Sequence, residues 1–382
     1  MIYLDNAATS WPKPPVASEA MAWFLEHCDG SPGRSGHEFS VEAARAVYDV
    51  RELVAELFNA PDPLRVVFTM NATHALNLAL RGLLRSGDRV VTTGMEHNSM
   101  MRPLRALERD GVEVTVAACS PDGLLDMEAL AQAVGSRTRL VAVNAASNVV
   151  GTLQNIKEVT RIAHNAGALV LVDAAQSAGV LPIDVQRDGI DLLAFTGHKG
   201  LLGPTGTGGL VIGDSVDTRD MAPLILGGTG SDSKSEGQPS ELPDRFESGT
   251  PNSVGIVGLG AGIRFVNEVG IESIREREIR MTQTIIDGLA SINRVHIHGT
   301  RDAERSIAVV SFTIDGIRVS EVGLALAERF RIMCRVGLHC APSSHKTIGT
   351  FPEGTVRFAP GIFTTTDEII QTLEAVREIA GQ

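Results

Sequence analysis

The segment Ala168-Leu169-Val170-Leu171-Val172 runs five apolar residues in a row with no polar interruption. A strand with one wet face alternates; one that does not alternate has to be covered on both faces. This run therefore asks for a sheet sandwiched between helices, and the rest of the chain supplies them. Ala44, Val47, Val50, Val54 and Leu57 recur at helical spacing and predict a helix over 41–58. Next come a strand over 66–68, a helix over 73–84, a strand over 89–92 and a helix over 101–109. These are followed by a strand over 112–116, a helix over 127–134, a strand over 140–143 and a helix over 156–165. Strands over 169–172, 191–195 and 209–212 complete the series. Strands alternating with helices of this length imply right-handed crossovers and a mostly parallel sheet.

The pattern changes after Asn252. One long helical region is expected to about Ile292, then strands over 295–297 and 308–312, a helix over 321–330 and a strand over 333–336. A terminal helix is signalled by Thr366-Asp367-Glu368. The expected division is a large α/β domain over 16–255 and a smaller α+β domain formed by 1–15 and 256–382. The polar, glycine-rich stretch Gly227 to Pro243 is long for a loop inside a compact domain, which points to function or an interface.

Charge and composition narrow the function. The 34 Lys and Arg against 46 Asp and Glu give a formal charge of −12, which disfavours nucleic acid or an anionic membrane as partner. No run of 18 apolar residues occurs, and the opening Met1-Ile2-Tyr3-Leu4-Asp5-Asn6 has neither a basic nor an apolar leader pattern, so a cytoplasmic protein without a membrane span is expected. Cys28, Cys119, Cys334 and Cys340 form no C-x-x-C pair and read mostly as reduced, buried thiols. A zinc site of Cys334, Cys340 and His345 is disfavoured by its spacing, and no metal is expected.

The glycines Gly258, Gly260 and Gly262 lie in a helical stretch rather than between a strand and a helix, and no G-x-x-x-x-G-K-[ST] occurs; nicotinamide and ATP chemistry are disfavoured. More informative is Phe195-Thr196-Gly197-His198-Lys199-Gly200, directly after a buried-looking strand. A lysine there lies at the ligand crevice of an open α/β sheet, with Gly197 and Gly200 allowing close backbone approach to a ligand. Alone, Lys199 reads first as a solvated loop lysine. Asp173, at the end of another buried strand 26 residues earlier, changes that reading. A lysine that binds an aldehyde and an acid that pairs with a pyridine nitrogen are what pyridoxal 5′-phosphate (PLP) requires.

The motifs Asp173-Ala174-Ala175-Gln176 and Thr196-Gly197-His198-Lys199 resemble the cofactor motifs of class V aminotransferase-like PLP enzymes. The resemblance spans nearly the whole chain. It takes in Tyr3-Leu4-Asp5-Asn6-Ala7-Ala8-Thr9, Glu96-His97-Asn98, Ser147-Asn148-Val149-Val150-Gly151-Thr152 and Glu247-Ser248-Gly249-Thr250-Pro251-Asn252. It also takes in the segment from Arg335 to Pro342 and Gly354-Thr355-Val356-Arg357-Phe358. The sequence is similar to the cysteine desulfurases, nearer the selenocysteine lyase/SufS-like group than the NifS/IscS-like group. The resemblance implies PLP fold-type I and a homodimer.

It further implies Lys199 as the Schiff-base lysine, Asp173 as partner of the pyridine nitrogen and His97 as the imidazole stacked on the ring, with a role in proton donation. Gln176 and Asn148 would lie near the cofactor's phenolic oxygen, Asn148 also near the substrate carboxylate. Thr73, Thr196 and His198 would bind phosphate, and Thr250 would reach the phosphate of the other subunit. Arg357 would clamp the substrate carboxylate, and Cys340 would accept sulfur, with His339 or local dipoles favouring its thiolate. The implied reaction takes sulfur from L-cysteine, leaving L-alanine and a persulfide on Cys340 for an acceptor protein. L-selenocysteine cleavage and other class V reactions remain alternatives, as does, more remotely, a non-catalytic scaffold. His74, Thr364 and the short Ala341-Pro342 depart from the family pattern.

Overall fold

The structure is a computed structural model and describes every residue except Asp29, Arg34, Asp232, Ser233 and Gln382. In chain order it runs β1 (Ile2–Tyr3), α1 (Pro15–His27), α2 (Glu38–Phe58), β2 (Val66–Thr69), α3 (Ala72–Leu83), β3 (Arg89–Thr93), α4 (Asn98–Arg109), β4 (Glu113–Ala117), α5 (Met127–Ala133), β5 (Thr138–Asn144), α6 (Ile156–Asn165), β6 (Leu169–Asp173), β7 (Leu192–Thr196) and β8 (Gly208–Ile212). It continues with α7 (Ser253–Val269), α8 (Ile271–Ala290), β9 (Val295–His298), β10 (Val310–Ile314), α9 (Val319–Phe330), β11 (Ile332–Met333), β12 (Arg335–Gly337), α10 (Pro342–Thr347), β13 (Thr355–Phe358) and α11 (Thr366–Ala380).

The strands of the first part form a seven-stranded sheet in the order β2-β8-β7-β6-β5-β3-β4. The five from β7 to β4 pair in parallel, and β8 joins β7 and β2 antiparallel. Successive residues of one strand enter different cores. Val170 and Val172 pack on one face with residues of α2, α6 and α7, and Leu171 packs on the other with α3 and α4. This is why the run at 168–172 carries no polar alternation. Side chains at the helix starts satisfy free backbone N–H groups: Asn71 accepts from His74, Asn155 from Glu158 and Asn252 from Gly255. The last helix begins with a capping box of Thr365 and Glu368.

Two expectations need correction. The single helical region to about Ile292 is two helices, α7 and α8, bent by 78° at Gly270, whose φ of 87° an L side chain rarely adopts. The strand expected over 333–336 is split. β11 pairs in parallel with β1, and β12 joins a separate sheet, β12-β13-β10-β9, with Cys334 between the two. The helices α1 and α10 and the strands β1 and β13 have no counterpart among the expected elements. The Gly227 to Pro243 stretch carries no helix or strand among its described residues, Asp232 and Ser233 lying outside them. The expected boundary at 255 falls inside α7. Because Ile256, Leu259 and Ile263 of α7 belong to a core of the large sheet, whereas Met281, Ile285 and Leu289 of α8 belong to the second core, we propose Gly270 as the division.

No single described helix is long and apolar enough to cross a membrane. The bent pair α7 and α8 passes by length and composition together, but each helix buries apolar residues in a protein core.

A buried ion pair ties the segment before Thr250 to the large domain. Arg51 donates to both carboxylate oxygens of Glu247 at 2.7 and 2.8 Å, the Phe68 N–H donates to Glu247 at 2.6 Å, and the guanidinium lies 4.6 Å from the Phe68 ring centre. Removing one partner of such a pair leaves an uncompensated buried charge, which costs about 3–5 kcal/mol. Glu247→Ala is therefore expected to lower unfolding stability by about that amount, and Glu247→Gln by less, in denaturant titrations; equal stability of Glu247→Ala and the parent would refute this role.

Candidate active site

Parallel strands deliver their carboxyl ends to one edge of the sheet, and crevices form there. Asp173 is the last residue of β6, and Lys199 follows β7 by three residues. Asn144, the last residue of β5, pairs in register with Asp173. These ends open into a cavity of about 270 Å³. Its wall takes Asp173, Gln176, Thr196, His198 and Lys199 from the sheet edge, Thr73 from the first turn of α3, and His97 from the cap of α4. Asn148 lies on the same wall, and Arg357 reaches it from β13 in the smaller sheet. Nine of the eleven expected site residues thus face one cavity.

The other two stand apart. Cys340 is exposed, and its Sγ accepts from Arg335 Nη2 at 3.3 Å; Arg335 is itself on the cavity wall. Thr250 is exposed and lines a different cavity of about 240 Å³ together with His74 and Glu247. Cys334 and His345 do not join Cys340 in a metal-holding group among the described residues. Burial pushes the Cys334 thiol up to about 12 and the Cys119 thiol to about 11.

The charged groups are held in a poorly solvated place. Burial lowers Lys199 to about 8, against the pull of Asp173. Burial likewise raises Asp173, opposed by the Ala175 N–H at 2.9 Å and by Lys199. Each group disfavours its own charge until a partner restores it. His97 is pushed down to about 4, first by burial and then by Lys199. Its Nδ1 accepts from the Ser99 N–H at 3.0 Å, so the proton of the neutral ring sits on Nε2. Ser99 also opposes the rise of Asp173, a smaller effect than those of the Ala175 N–H and Lys199. His198 is lowered to about 4 by burial, and its Nδ1 is buried with no partner.

The Lys199 turn is fixed by its backbone. The His198 carbonyl accepts from Ser10 N, Thr9 Oγ1, Ser10 Oγ and Lys13 Nζ, at 3.0, 3.1, 3.2 and 2.7 Å. A Cβ at Gly200 would lie 2.5 Å from the Ala178 carbonyl oxygen, and one at Gly262 of α7 would lie 2.4 Å from that of Leu201. The absence of a Cβ at Gly200 thus allows the backbone packing of the lysine turn.

The Cys340 segment is also anchored. Its carbonyl accepts from the Asn98 N–H at 2.9 Å, and the preceding carbonyl, of His339, accepts from Asn148 Nδ2 at 2.8 Å. His339 and Cys340 both have positive φ, 48° and 59°, a costly conformation outside glycine. His339 does not serve as the cation beside the sulfur. Its Nε2 pairs with Thr355 Oγ1, and burial drives the ring down to about 2. Arg335 takes that place. Its position facing Arg357 across β12 and β13 is a matter of register that no motif spacing encodes. Asp5 and Ser99 were missed for a similar reason: they act through Arg357 and His97.

The N–H that Arg335 donates, and the charge it carries, both bear on how readily the Cys340 sulfur reacts. Arg335→Met is expected to slow alkylation of Cys340 by iodoacetamide several-fold at neutral pH, with Arg335→Lys restoring much of the rate. Unchanged alkylation in Arg335→Met would refute the contact.

The family profile described as Aminotransferase class-V matches residues 2–372. A relative in Methanothermobacter thermautotrophicus named probable cysteine desulfurase is 38% identical over 100% of this chain and 95% of its own length. One in Escherichia coli named cysteine desulfurase is 34% identical over 89% of this chain and 84% of its own. The solved apo structure of cysteine desulfurase from Thermococcus onnurineus NA1 superposes with a TM-score of 0.94 at 34% identity, covering 99% of this chain and 94% of that one. Its likeness extends to the mostly parallel sheet and the smaller second sheet described above. The chain belongs to the class-V aminotransferase family, whose cysteine desulfurases are PLP-dependent.

Proposed function

We propose that this protein is a PLP-dependent cysteine desulfurase that takes sulfur from L-cysteine onto Cys340. The observation that carries the reading is the single cavity uniting Lys199, Asp173, His97 and Arg357, with the Cys340 sulfur tied to its wall through Arg335. The donor chemistry suits PLP. A buried amine and a buried acid each lack a full charge partner, an imidazole nitrogen of His198 is unpaired, and the first turn of α3 offers free N–H groups for phosphate.

In this reading Lys199 holds the cofactor aldehyde, Asp173 the ring nitrogen and His97 the ring face. Gln176 and Asn148 stand near its phenolic oxygen, and Thr73, Thr196 and His198 hold its phosphate. Bound PLP supplies an electron sink that acidifies the α-carbon of an amino acid. Arg357 binds the substrate carboxylate, with Asn148 beside it. A lysine lowered to about 8 is uncharged often enough near neutral pH to take the α-proton on Nζ. His97 stays neutral well below pH 7 and carries its proton on Nε2, available to the departing group. The Cys340 thiolate attacks the substrate sulfur. An S–S bond forms as the Cβ–S bond breaks, the electron pair left on Cβ is protonated, and the proton held on Lys199 Nζ goes back to the α-carbon to give L-alanine. L-Selenocysteine would be accepted by the same residues, and an acceptor protein would collect the sulfur from the exposed Cys340.

The site is proposed to be shared in a homodimer. Thr250 is exposed and outside its own chain's Lys199 cavity. Exposed apolar side chains gather on α1 and α2 (Trp23, Leu25, Phe39, Val41) and at Ile225 and Leu226. A two-fold dimer uses one such surface twice.

Three variants test the reading. Lys199→Ala should lose the borohydride-reducible cofactor adduct and all turnover; an adduct retained on the variant would move the lysine role elsewhere. Cys340→Ala should keep the adduct yet lose L-cysteine desulfuration by at least about a hundredfold, a typical loss for a missing catalytic group; wild-type turnover would favour another class V reaction. Leu226→Asp should give monomers by sedimentation with lost activity, and a fully active monomer would contradict the shared site.

A further inference from the structure

The guanidinium of Arg357 is already engaged. Its side chain is 1% exposed, Nη2 donates to Asp5 Oδ1 at 2.6 Å, Nη1 donates to the Asn148 carbonyl at 2.9 Å, and Nε is buried with no partner. Asp5 is placed by backbone pairing with Ala359, the residue that follows the strand carrying the arginine. Leu4 accepts from the Ala359 N–H at 2.8 Å, and the Asn6 N–H donates to the Ala359 carbonyl at 3.1 Å. Directly across β12 and β13, Arg335 adds a second cation to the same wall. Lys199 and Asp173 are opposite in sign and together add no net charge to the cavity. Arg335, Arg357 and Asp5 then leave one net positive charge at this end of the cavity.

We propose that Asp5 is a positioning and specificity-determining residue of the carboxylate site: it orients Arg357 and cancels one of two adjacent arginine charges, so that the site accepts an α-amino acid carrying a single carboxylate. The inference rests on the reading that this cavity binds an amino acid. Without the negative charge of Asp5 the two arginines would present two positive charges and favour a ligand with a second anionic group. An asparagine keeps the acceptor oxygen for Nη2 while removing the charge; an alanine removes both. The two substitutions therefore separate orientation from charge selection.

The test is calorimetric titration of the PLP-loaded protein with L-alanine and with L-aspartate, which bears a second carboxylate on Cβ. In Asp5→Asn the ratio of the L-aspartate Kd to the L-alanine Kd should fall about tenfold, the effect of one partly solvated charge at contact range. In Asp5→Ala the same fall should appear together with L-alanine binding at least about fivefold weaker than in Asp5→Asn, because Arg357 loses its guide. Should the Asp5 variants fail to fold, Arg335→Gln gives the converse: one cation fewer, and a ratio that rises. A ratio that moves less than twofold in Asp5→Asn, or in Arg335→Gln where that variant stands in, overturns the charge role. Equal L-alanine affinity in Asp5→Asn and Asp5→Ala overturns the orienting role. If the parent protein binds neither L-alanine nor L-cysteine, the proposed function itself fails and the inference with it; if the parent binds both and the ratio does not respond, the inference about Asp5 alone fails.

Discussion

The site depends on burying an acid and an amine at the ends of neighbouring strands. Asp173 closes β6, which pairs in register with β7, and Lys199 follows β7. Burial works against both charges at once, raising the acid and lowering the amine to about 8. Such a pair is weak evidence for stability, because desolvation offsets much of the attraction. Its value is chemical: an amine that gives up its proton near neutral pH, and an acid that gains from a cationic partner. The apolar strands covered on both faces, the backbone packing at Gly200 and Gly262, and the donors on the His198 carbonyl all hold that arrangement in place.

The first thirteen residues tie the two sheets together at this point. β1 pairs with β11, Asp5 holds Arg357, Asn6 pairs with Ala359, and Ser10 and Lys13 bond the carbonyl next to Lys199. A short stretch with two residues of strand thus bonds both the backbone of the Lys199 turn and the Arg357 guanidinium. The Cys340 segment is held from the other side by Asn98 and Asn148, which adjoin or belong to the same cavity wall. Cys340, His97 and Arg357 are therefore linked through backbone carbonyls as well as side chains.

Much of this was legible in the sequence because it is local. The alternation of elements follows from apolar periodicity, and Asp173 and Lys199 stand at strand ends that the sequence marks. The motifs resembling a known family located nine residues that line one cavity. What was not legible depends on register and distance. Arg335 gains its place because it faces Arg357 across two strands, and Asp5 because a chain start returns to β13. The helix α1 escaped because apolar Val16, Trp23 and Leu25 lie exposed on it and blur its periodicity. Gly270 marked the break between α7 and α8, yet apolar residues on both sides hid it. The packing that glycines at 197 and 200 allow, against Thr207 and the Ala178 carbonyl, comes from segments that no local motif shows.

The central claim is that sulfur passes from L-cysteine to Cys340. Peptide mass spectrometry of the PLP-loaded protein after a brief pulse of L-cysteine tests it most directly. The account predicts one added sulfur on the peptide that holds Cys340 and none on those that hold Cys28, Cys119 or Cys334. Alanine formation with no sulfur on the Cys340 peptide, or sulfur on one of the other three instead, would contradict it.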